Sequence, residues 1–254
     1  MDLGLAGSAF VITGGSRGLG FATAQALVNE GASVVLNARD AGRVDEAARA
    51  LGPRARSVAG NLADAGCATD CIDVCLGSFG TVSGGLISVG GPPPGTVLTT
   101  SDESWRQAFE SVFLGTVRMA RALCEAISNS SGQGAVAIVL STSAQEVFTG
   151  LTTSNGLRPG LAMLVKDLSD EVGHLGIRVN GILPGRIATD RILEIDAATG
   201  DAEGARVRAS QRIPLGRYGD PEEFGRVAAF LLSPAASYVT GTLVRVDGGI
   251  TRSP

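Results

Sequence analysis

The residues that most directly indicate chemistry are three glycines near the N-terminus, in the stretch VITGGSRGLGFATAQAL. Gly14 permits a tight turn, Gly18 lets the backbone approach a phosphate, and Gly20 allows the following helix to pack closely. That helix presents N–H donors and the positive end of its dipole, which suits a pyrophosphate group. Because the loop lies between an apolar run and a helical pattern, it predicts a dinucleotide site rather than a purely structural turn. Further contacts to the dinucleotide are expected from Ser16, Arg17 and Leu19.

The charges near this loop favour NADP(H) over NAD(H). The second predicted strand, SVVLNARD, ends with Asn37, Ala38 and Arg39, where an NAD site places a carboxylate to accept the ribose hydroxyls. Asp40 follows one residue later and is expected to lie too far along. Arg39 and Arg17 together suit the 2′-phosphate of NADP(H), since guanidinium groups bind phosphate in a forked geometry. The alternative is that both arginines are solvated surface charges.

These residues must be positioned by alternating strands and helices. Seven short runs rich in β-branched residues alternate with segments of helical period along the chain. These runs are AFVIT, SVVLNA, ARSVAG, GGLISVG, AVAIVLST, RVNGILPG and TLVRVDGG. Such alternation predicts a single α/β domain, residues 1–254, of the Rossmann type: a doubly wound, seven-stranded parallel sheet with helices on both faces.

One segment interrupts this alternation. Residues 187–220 are polar, helix-prone and rich in Ala and Gly, and they separate a strand from the next helix by more residues than a compact connection needs. An insertion at the carboxyl edge of the sheet is expected to act as a substrate lid. The alternative is a disordered surface loop.

Several strings resemble the short-chain dehydrogenase/reductase family over essentially the whole chain. They are TGGSRGLG, with three residues between the first two glycines, IRVNGILPGRIATD, and RIPLGRYGDPEEFGRVAAFLLSPAASYVTGTLVRVDGG. Within the family the chain resembles an atypical relative of the 3-oxoacyl carrier-protein reductases. The resemblance implies a nicotinamide-dependent oxidoreductase that acts on a small molecule.

The resemblance also implies further cofactor contacts. An amide at Asn61, followed by Leu62, stands where the family binds adenine, and Ser88 and Gly90 stand where the family approaches the ribose. The following Gly-Pro-Pro-Pro-Gly stretch, residues 91–95, is expected to be extended and stiff because of its prolines. Contacts near the nicotinamide and diphosphate are implied for Pro184, Gly185, Ile187 and Thr189.

The catalytic residues depart from the family's pattern of Asn, Ser, Tyr and Lys. Counting back from KDLSDEVG places Ser154 at the Tyr position and Arg158 at the Lys position, and Val112 stands at the Asn position. A hydroxyl survives after the fifth strand, where Thr142 is the best match by spacing and Ser143 is its neighbour. The only two tyrosines, Tyr218 and Tyr238, stand in C-terminal segments. We therefore expect an atypical member without the usual proton donor.

Two charged residues could take over parts of the missing chemistry. Arg158 can bind the ribose hydroxyls and place positive charge below the nicotinamide, but a guanidinium cannot donate a proton at neutral pH. Glu146, in SAQEVF, is expected beside the nicotinamide, where burial could raise its pKa and make it a general acid. The alternative for Glu146 is a solvent-facing or salt-bridged carboxylate.

These observations predict an NADP(H)-dependent reductase of a C=O or C=N group. An iminium ion, including one formed from a hemiaminal, becomes a neutral amine on hydride addition alone, so the absence of a tyrosine would cost nothing. Thr142 or Ser143 would orient the substrate, and Glu146 would offer it negative charge. The alternative is a catalytically inactive sensor or scaffold that binds the dinucleotide, and non-redox chemistry such as elimination is a third possibility.

Composition and charge exclude several other classes. A net charge of -4 with a single lysine argues against a nucleic-acid partner, and no apolar run is long enough to span a membrane. No targeting leader is recognisable, which predicts a cytoplasmic protein. Cys67, Cys71 and Cys75 share a helix face without nearby histidine, so no metal site is expected. By resemblance the protein is a homo-oligomer, a tetramer or a dimer, built from the helix at residues 105–127, the next helix at residues 160–173 and the TLVRVDGG strand.

Overall fold

The computed structural model describes residues 2–91 and 94–252, and all seven predicted runs form strands in it. Neighbouring strands pair in parallel in the order β3-β2-β1-β4-β5-β6-β7. This confirms the predicted doubly wound sheet in a single domain. The strands are β1 (Ala9–Thr13), β2 (Ser33–Ala38), β3 (Ala55–Ala59), β4 (Gly84–Ile87), β5 (Gly134–Val139), β6 (Ile177–Pro184) and β7 (Leu243–Val246).

Helices cover both faces of the sheet, and each face has its own apolar core. Along β1, Val11 belongs to one buried cluster while its neighbours Phe10 and Ile12 belong to the other, as the alternation of side chains along a strand requires. The helices are α1 (Gly18–Asn29), α2 (Ala41–Leu51), α3 (Cys67–Phe79), α4 (Asp102–Ala108), α5 (Gly115–Asn129), α6 (Thr152–Val172), α7 (Asp190–Ala197), α8 (Ala202–Ser210) and α9 (Pro221–Leu232). The first core lies against α3, α5 and α6, and the second lies against α1, α2 and α9.

The strand order reverses direction beside β1, whose neighbours are β2 and β4. In open α/β sheets ligands bind at such a switch point, beyond the carboxyl ends of the strands. Two hydrogen bonds tie β1 to β4 there: Thr13 Oγ1 donates to the Ser88 carbonyl at 2.9 Å and accepts from the Ser88 N–H at 2.8 Å. These bonds hold the carboxyl ends of β1 and β4 together at the bottom of the crevice.

The helical pattern of residues 105–127 is not one regular α-helix. A π-helical turn, Phe109–Leu114, separates α4 from α5, and Thr116 Oγ1 donates to the Val112 carbonyl at 2.7 Å. Gly115, the first residue of α5, lies close to the chain that follows β3. A Cβ atom on Gly115 would lie 2.6 Å from the Leu62 carbonyl oxygen. Periodicity alone did not predict this turn, which is a feature frequent at functional sites.

Residues 187–220 contain two helices, α7 and α8, which lie outside the sheet. The two ends of this segment meet, because the Ala188 N–H donates to the Gly219 carbonyl at 2.8 Å and the Gly219 N–H donates to the Arg186 carbonyl at 3.0 Å. Residues 187–220 therefore leave the carboxyl edge of the sheet and return to the same place, and this segment is called the excursion.

The cysteines of α3 are core residues. Cys67, Cys71 and Cys75 are all buried in the cluster below α3. Burial raises the pKa of Cys75 to about 12, so this group remains a thiol at neutral pH. Within residues 2–91 and 94–252, no group of three or more metal-ligating side chains is found, and no helix is both long and apolar enough to cross a membrane.

Candidate active site

The glycine loop lies between β1 and α1, and its three glycines cannot be replaced without a clash or strain. Gly14 and Gly18 have positive φ angles of 60° and 58°. A Cβ atom on Gly20 would lie 2.3 Å from the Gly14 carbonyl oxygen. The loop is thus held tightly against the start of α1, as a phosphate-binding turn must be.

The N-terminus of α1 is available to an anion. Its N-cap residue, Arg17, makes no side-chain capping bond, so it satisfies none of the first N–H groups of the helix. Ser16 and Leu19 flank this end and are half-buried. On the far side of the crevice a Cβ atom on Gly90 would meet no atom within 4 Å, so there is open space beside β4. These features fit a dinucleotide.

The residues at the end of β2 differ in their surroundings: one is buried and holds two strands together, and two later ones are exposed. Asn37 is buried, and its Nδ2 donates to the carbonyls of Val58 and Gly60 at 3.1 and 3.2 Å, which fixes the ends of β2 and β3 together. Arg39 is exposed. Asp40 caps α2 by accepting from the Arg43 N–H at 3.0 Å. The Asp40 carboxylate is therefore engaged at the helix start.

The predicted adenine and ribose positions are shaped mainly by backbone contacts. Asn61 Oδ1 accepts from the Ala63 N–H at 3.1 Å, which forms an Asx turn after β3. Leu62 is buried. Pro92 and Pro93, for which an extended loop is predicted, lie outside the described residues.

The chain after β6 packs closely against neighbouring segments. Pro184 ends β6, and a Cβ atom on Gly185 would lie 2.7 Å from the Cα atom of Asp247. Ile187 is buried, and Thr189 is the N-cap of α7. The predicted nicotinamide contacts thus form the junction between the sheet and α7. Their role in cofactor binding stays a prediction.

Two serines meet at the centre of the predicted catalytic site. Ser143 Oγ and Ser154 Oγ lie 2.9 Å apart, and both residues are buried. Ser143 belongs to a 3₁₀ turn, Thr142–Ala144, in which the Ser141 side chain accepts from the Ser143 N–H. The spacing in the sequence predicted Thr142 as the hydroxyl residue that would act together with Ser154. The turn after β5 instead brings the next residue, Ser143, against Ser154.

Arg158 lies one helical turn beyond Ser154, and its side chain is buried. One guanidinium nitrogen donates to the Val139 carbonyl at 2.5 Å and the other to the Val89 carbonyl at 3.3 Å. Its Nε has no partner, and in the part of the chain that the structure describes no carboxylate pairs with this side chain. Burial lowers the pKa of Arg158 to about 10, which leaves it cationic at neutral pH.

Close packing of two glycines positions α6, which carries Ser154 and Arg158. A Cβ atom on Gly156 would lie 2.8 Å from the Trp105 ring, and one on Gly160 would lie 2.9 Å from the Phe113 ring. These aromatic residues belong to α4 and to the π-helical turn. Sequence reasoning missed this contact, although the i, i+4 spacing of the two glycines was visible.

Glu146 does not meet the serine pair in the contacts that the structure shows. It is half-buried, and its Oε1 accepts from the Arg252 N–H at 2.7 Å. The preceding Gln145 accepts from Arg245 Nε at 2.7 Å. The loop after β5 therefore holds the C-terminal segment, and these contacts lend no support to a catalytic role for Glu146.

The two tyrosines lie elsewhere. Tyr218 is buried, and its hydroxyl donates to Asp196 Oδ2 at 2.8 Å, while Arg186 donates to Asp196 Oδ1 at 2.8 Å. Burial, followed by the hydrogen bond to Asp196, raises the pKa of Tyr218. Tyr238 is fully exposed. The Asp196 network, which was not foreseen from the sequence, ties α7 to Arg186, directly before the excursion, and to Tyr218, near its end.

Comparisons with known proteins agree with this architecture. A family model described as enoyl-(acyl carrier protein) reductase matches residues 14–251. An uncharacterized oxidoreductase of Mycobacterium tuberculosis is 35% identical over 249 residues, which are 95% of this chain and 91% of the relative. Dehydrogenase/reductase SDR family member 4 of Caenorhabditis elegans is 30% identical over 249 residues, 96% of this chain and 95% of that protein. The crystal structure of L-sorbose reductase from Gluconobacter frateurii, complexed with NADPH and L-sorbose, superposes with a TM-score of 0.95 at 32% identity and covers 100% of both chains.

Proposed function

The chain belongs to the short-chain dehydrogenase/reductase family, and we propose that it is an NADP(H)-dependent reductase of a small-molecule carbonyl group. The family makes it an NAD(P)-dependent oxidoreductase. The proposal adds the direction, the bond that is reduced, and an active site in which Ser154 and Arg158 stand where the family has Tyr and Lys. The observation that carries it is Arg158, a buried cation on the helix that also carries Ser154, for which the described residues provide no carboxylate partner.

The cofactor is NADP(H), which the L-sorbose reductase of similar structure also binds. In this chain the glycine loop and the open N-terminus of α1 would hold the pyrophosphate, and Arg17 and Arg39 would lie near the 2′-phosphate. Arg158 is buried, so it would act on the nicotinamide end of the cofactor through its charge rather than through a direct bond from its Nε. When bound, the cofactor supplies a hydride to the substrate carbon.

Arg158 supplies positive charge where a carbonyl oxygen becomes negative. An uncompensated buried charge destabilises a fold by about several kcal/mol, because the charge has lost its hydration. Retention of such a group at the predicted site fits a function that needs a fixed cation. Donors and charges fixed in place before reaction stabilise an oxyanion without reorganisation.

The serine pair orients the substrate oxygen. Of the two hydroxyl hydrogens, one is used in the bond between Ser143 and Ser154, so the other is available to a third group. A serine hydroxyl is a weak acid, so the pair is proposed to pass a proton from water to the alkoxide rather than to store one. This arrangement would replace the tyrosine as a donor.

The fixed charge also separates carbonyl from iminium substrates. A cationic iminium at about 4 Å from a guanidinium would be repelled by about 4 kcal/mol at an effective dielectric constant of about 20. The sequence-based hypothesis of iminium reduction relied on Glu146 for the compensating charge, and Glu146 is engaged with the Arg252 backbone. The site therefore favours C=O over a charged C=N group.

The test is NADPH oxidation, followed by absorbance, with ketones and with imines of the same carbon skeleton. We expect oxidation with at least one ketone class and slower oxidation with the matched imines. Faster imine reduction would contradict the carbonyl assignment. Tight binding of NADPH without turnover of any substrate in a broad panel would favour the sensor alternative.

A further inference from the structure

Arg17 is held by acids of the α7 helix in addition to being a predicted phosphate ligand. One of its terminal guanidinium nitrogens lies 3.3 Å from Asp190 Oδ2 and 3.7 Å from Glu194 Oε1. These acids are four residues apart, so they lie on one face of α7, and this face is directed at the glycine loop. The excursion and the cofactor loop therefore share one guanidinium.

A second contact shows that the two segments are packed together. A Cβ atom on Gly18 would lie 3.3 Å from the Thr189 methyl carbon, at the residue that caps α7. The same segments line one open groove of about 610 Å³, whose walls include Ser16, Arg17, Gly18, Arg43 and Asp190. An anion bound to Arg17 in this groove would lie close to the carboxylates of α7.

We propose that Asp190 and Glu194 are positioning residues that lower the affinity for NADPH by competing with its 2′-phosphate for Arg17. This inference rests on the proposed function. A guanidinium pairs with carboxylate or with phosphate through the same N–H groups. The phosphate and the two carboxylates also repel one another. A stronger bond of Arg17 to the phosphate therefore weakens its ion pairs with Asp190 and Glu194, and stronger ion pairs weaken the bond to the phosphate. NADH lacks the 2′-phosphate and leaves the contact between Arg17 and α7 intact.

The competition also links the cofactor to the proposed lid. When the phosphate takes Arg17, α7 loses its ion pairs to the glycine loop and keeps the buried bonds of Asp196 to Arg186 and Tyr218. The first turn of α7 is then released while its C-terminal end stays fixed. Binding of NADPH, but not of NADH, would thus change how the excursion lies over the site.

The experiment measures dissociation constants of NADPH and NADH by calorimetry for the full chain. The paired substitution Asp190→Asn with Glu194→Gln should tighten NADPH binding by about two- to fivefold, the effect of an exposed ion pair, and leave NADH binding unchanged. In an Arg17→Ala background the same pair of substitutions should have a smaller effect on NADPH binding, because only the repulsion between the carboxylates and the phosphate then remains. Glu203→Gln, an exposed acid of α8, is the matched control and should change neither constant.

Two results would overturn the inference: an equal change for both cofactors, or an NADPH effect that is equally large without Arg17. If the wild type binds NADPH more tightly than NADH, and the variant with Asp190→Asn and Glu194→Gln has the same two dissociation constants, the proposed competition is wrong and the proposed function stands. If the wild type binds neither cofactor, the proposed function fails, and this inference fails with it.

Discussion

At the scale of single residues, the proposed chemistry depends on Arg158, a buried arginine for which the described part of the chain provides no carboxylate partner. Arg158 is bonded to two backbone carbonyls, which satisfy part of its hydrogen-bonding capacity but none of its charge. A purely structural role would be served better by an apolar side chain of similar size. Substitution of Arg158 can therefore distinguish a functional role of this residue from a structural one.

Arg158→Met should lower kcat/KM for carbonyl reduction by about 10²-fold or more, because it removes the fixed cation at the developing oxyanion. Thermal stability should change little, since removal of an unpaired buried charge offsets the loss of the hydrogen bonds to the Val139 and Val89 carbonyls. Steady-state kinetics and thermal unfolding test both parts. Lys166→Met, at an exposed residue of α6, is the control and should affect neither. A large loss of stability with unchanged kinetics would show that Arg158 is structural.

The serine pair makes a prediction about additivity. Ser143→Ala and Ser154→Ala should each lower kcat by about 10²-fold, and the double variant should lose little more, because the two hydroxyls act as one unit. Thr142→Val, which keeps the shape of a buried neighbour, should have a small effect. A larger loss for Thr142→Val than for Ser143→Ala would assign the role to Thr142 instead.

At the scale of secondary structure, α6 is the element that must be held in place. Its contact with α4 and the π-helical turn has no room for a side chain at Gly156 or Gly160, so the position of Ser154 and Arg158 is set by this contact. Ser154 and Arg158 are thus carried by a closely packed helix, whereas Ser143 stands on the 3₁₀ turn after β5.

Gly156→Ala should destabilise the fold by about 1 to 3 kcal/mol in urea unfolding, because the added methyl group overpacks the contact with Trp105. Gly77→Ala in α3 is the matched control. A methyl group there would meet no atom within 4 Å, so the higher helix propensity of Ala should stabilise by up to about 1 kcal/mol. Equal stabilisation at both positions would mean that α6 tolerates movement.

Elements were predicted from the sequence more completely than contacts between them. The glycine loop and the seven strands follow from local patterns, so their order and character were foreseen. The pairing of Ser143 with Ser154 depends on rotation within a 3₁₀ turn, and the bonds of Arg17 and Glu146 join residues more than 100 positions apart. Periodicity carries no information about such approaches, which is why these partners were not predicted.

At the scale of the whole molecule, the edge of the sheet is incompletely covered. All four residues of β7 are half-buried, although a parallel sheet usually has both faces covered, and Tyr238 nearby is fully exposed. Phe109, on the π-helical turn, is also exposed. We therefore propose a homo-oligomer, a tetramer or a dimer, that covers these surfaces.

Light scattering at micromolar concentration should give four or two times the chain mass of 25.7 kDa. Charged substitutions at these two surfaces, Tyr238→Glu and Phe109→Glu, should reduce the mass, because they bury a charge in an apolar interface. Leu175→Glu, at another exposed apolar residue, is the control. A wild-type mass equal to one chain would contradict the oligomer.

The most direct test of the central claim is whether hydride moves from the cofactor to a carbonyl carbon. The measurement uses NADPH in which both C4 hydrogens are replaced by deuterium, the panel of ketones, and mass spectrometry of the alcohols. We expect one deuterium at the carbinol carbon of the alcohol made by the wild type, and about 10²-fold less labelled alcohol in the same time with folded Arg158→Met. Folded wild type that binds NADPH but leaves every ketone of the panel free of deuterium would contradict a carbonyl reductase.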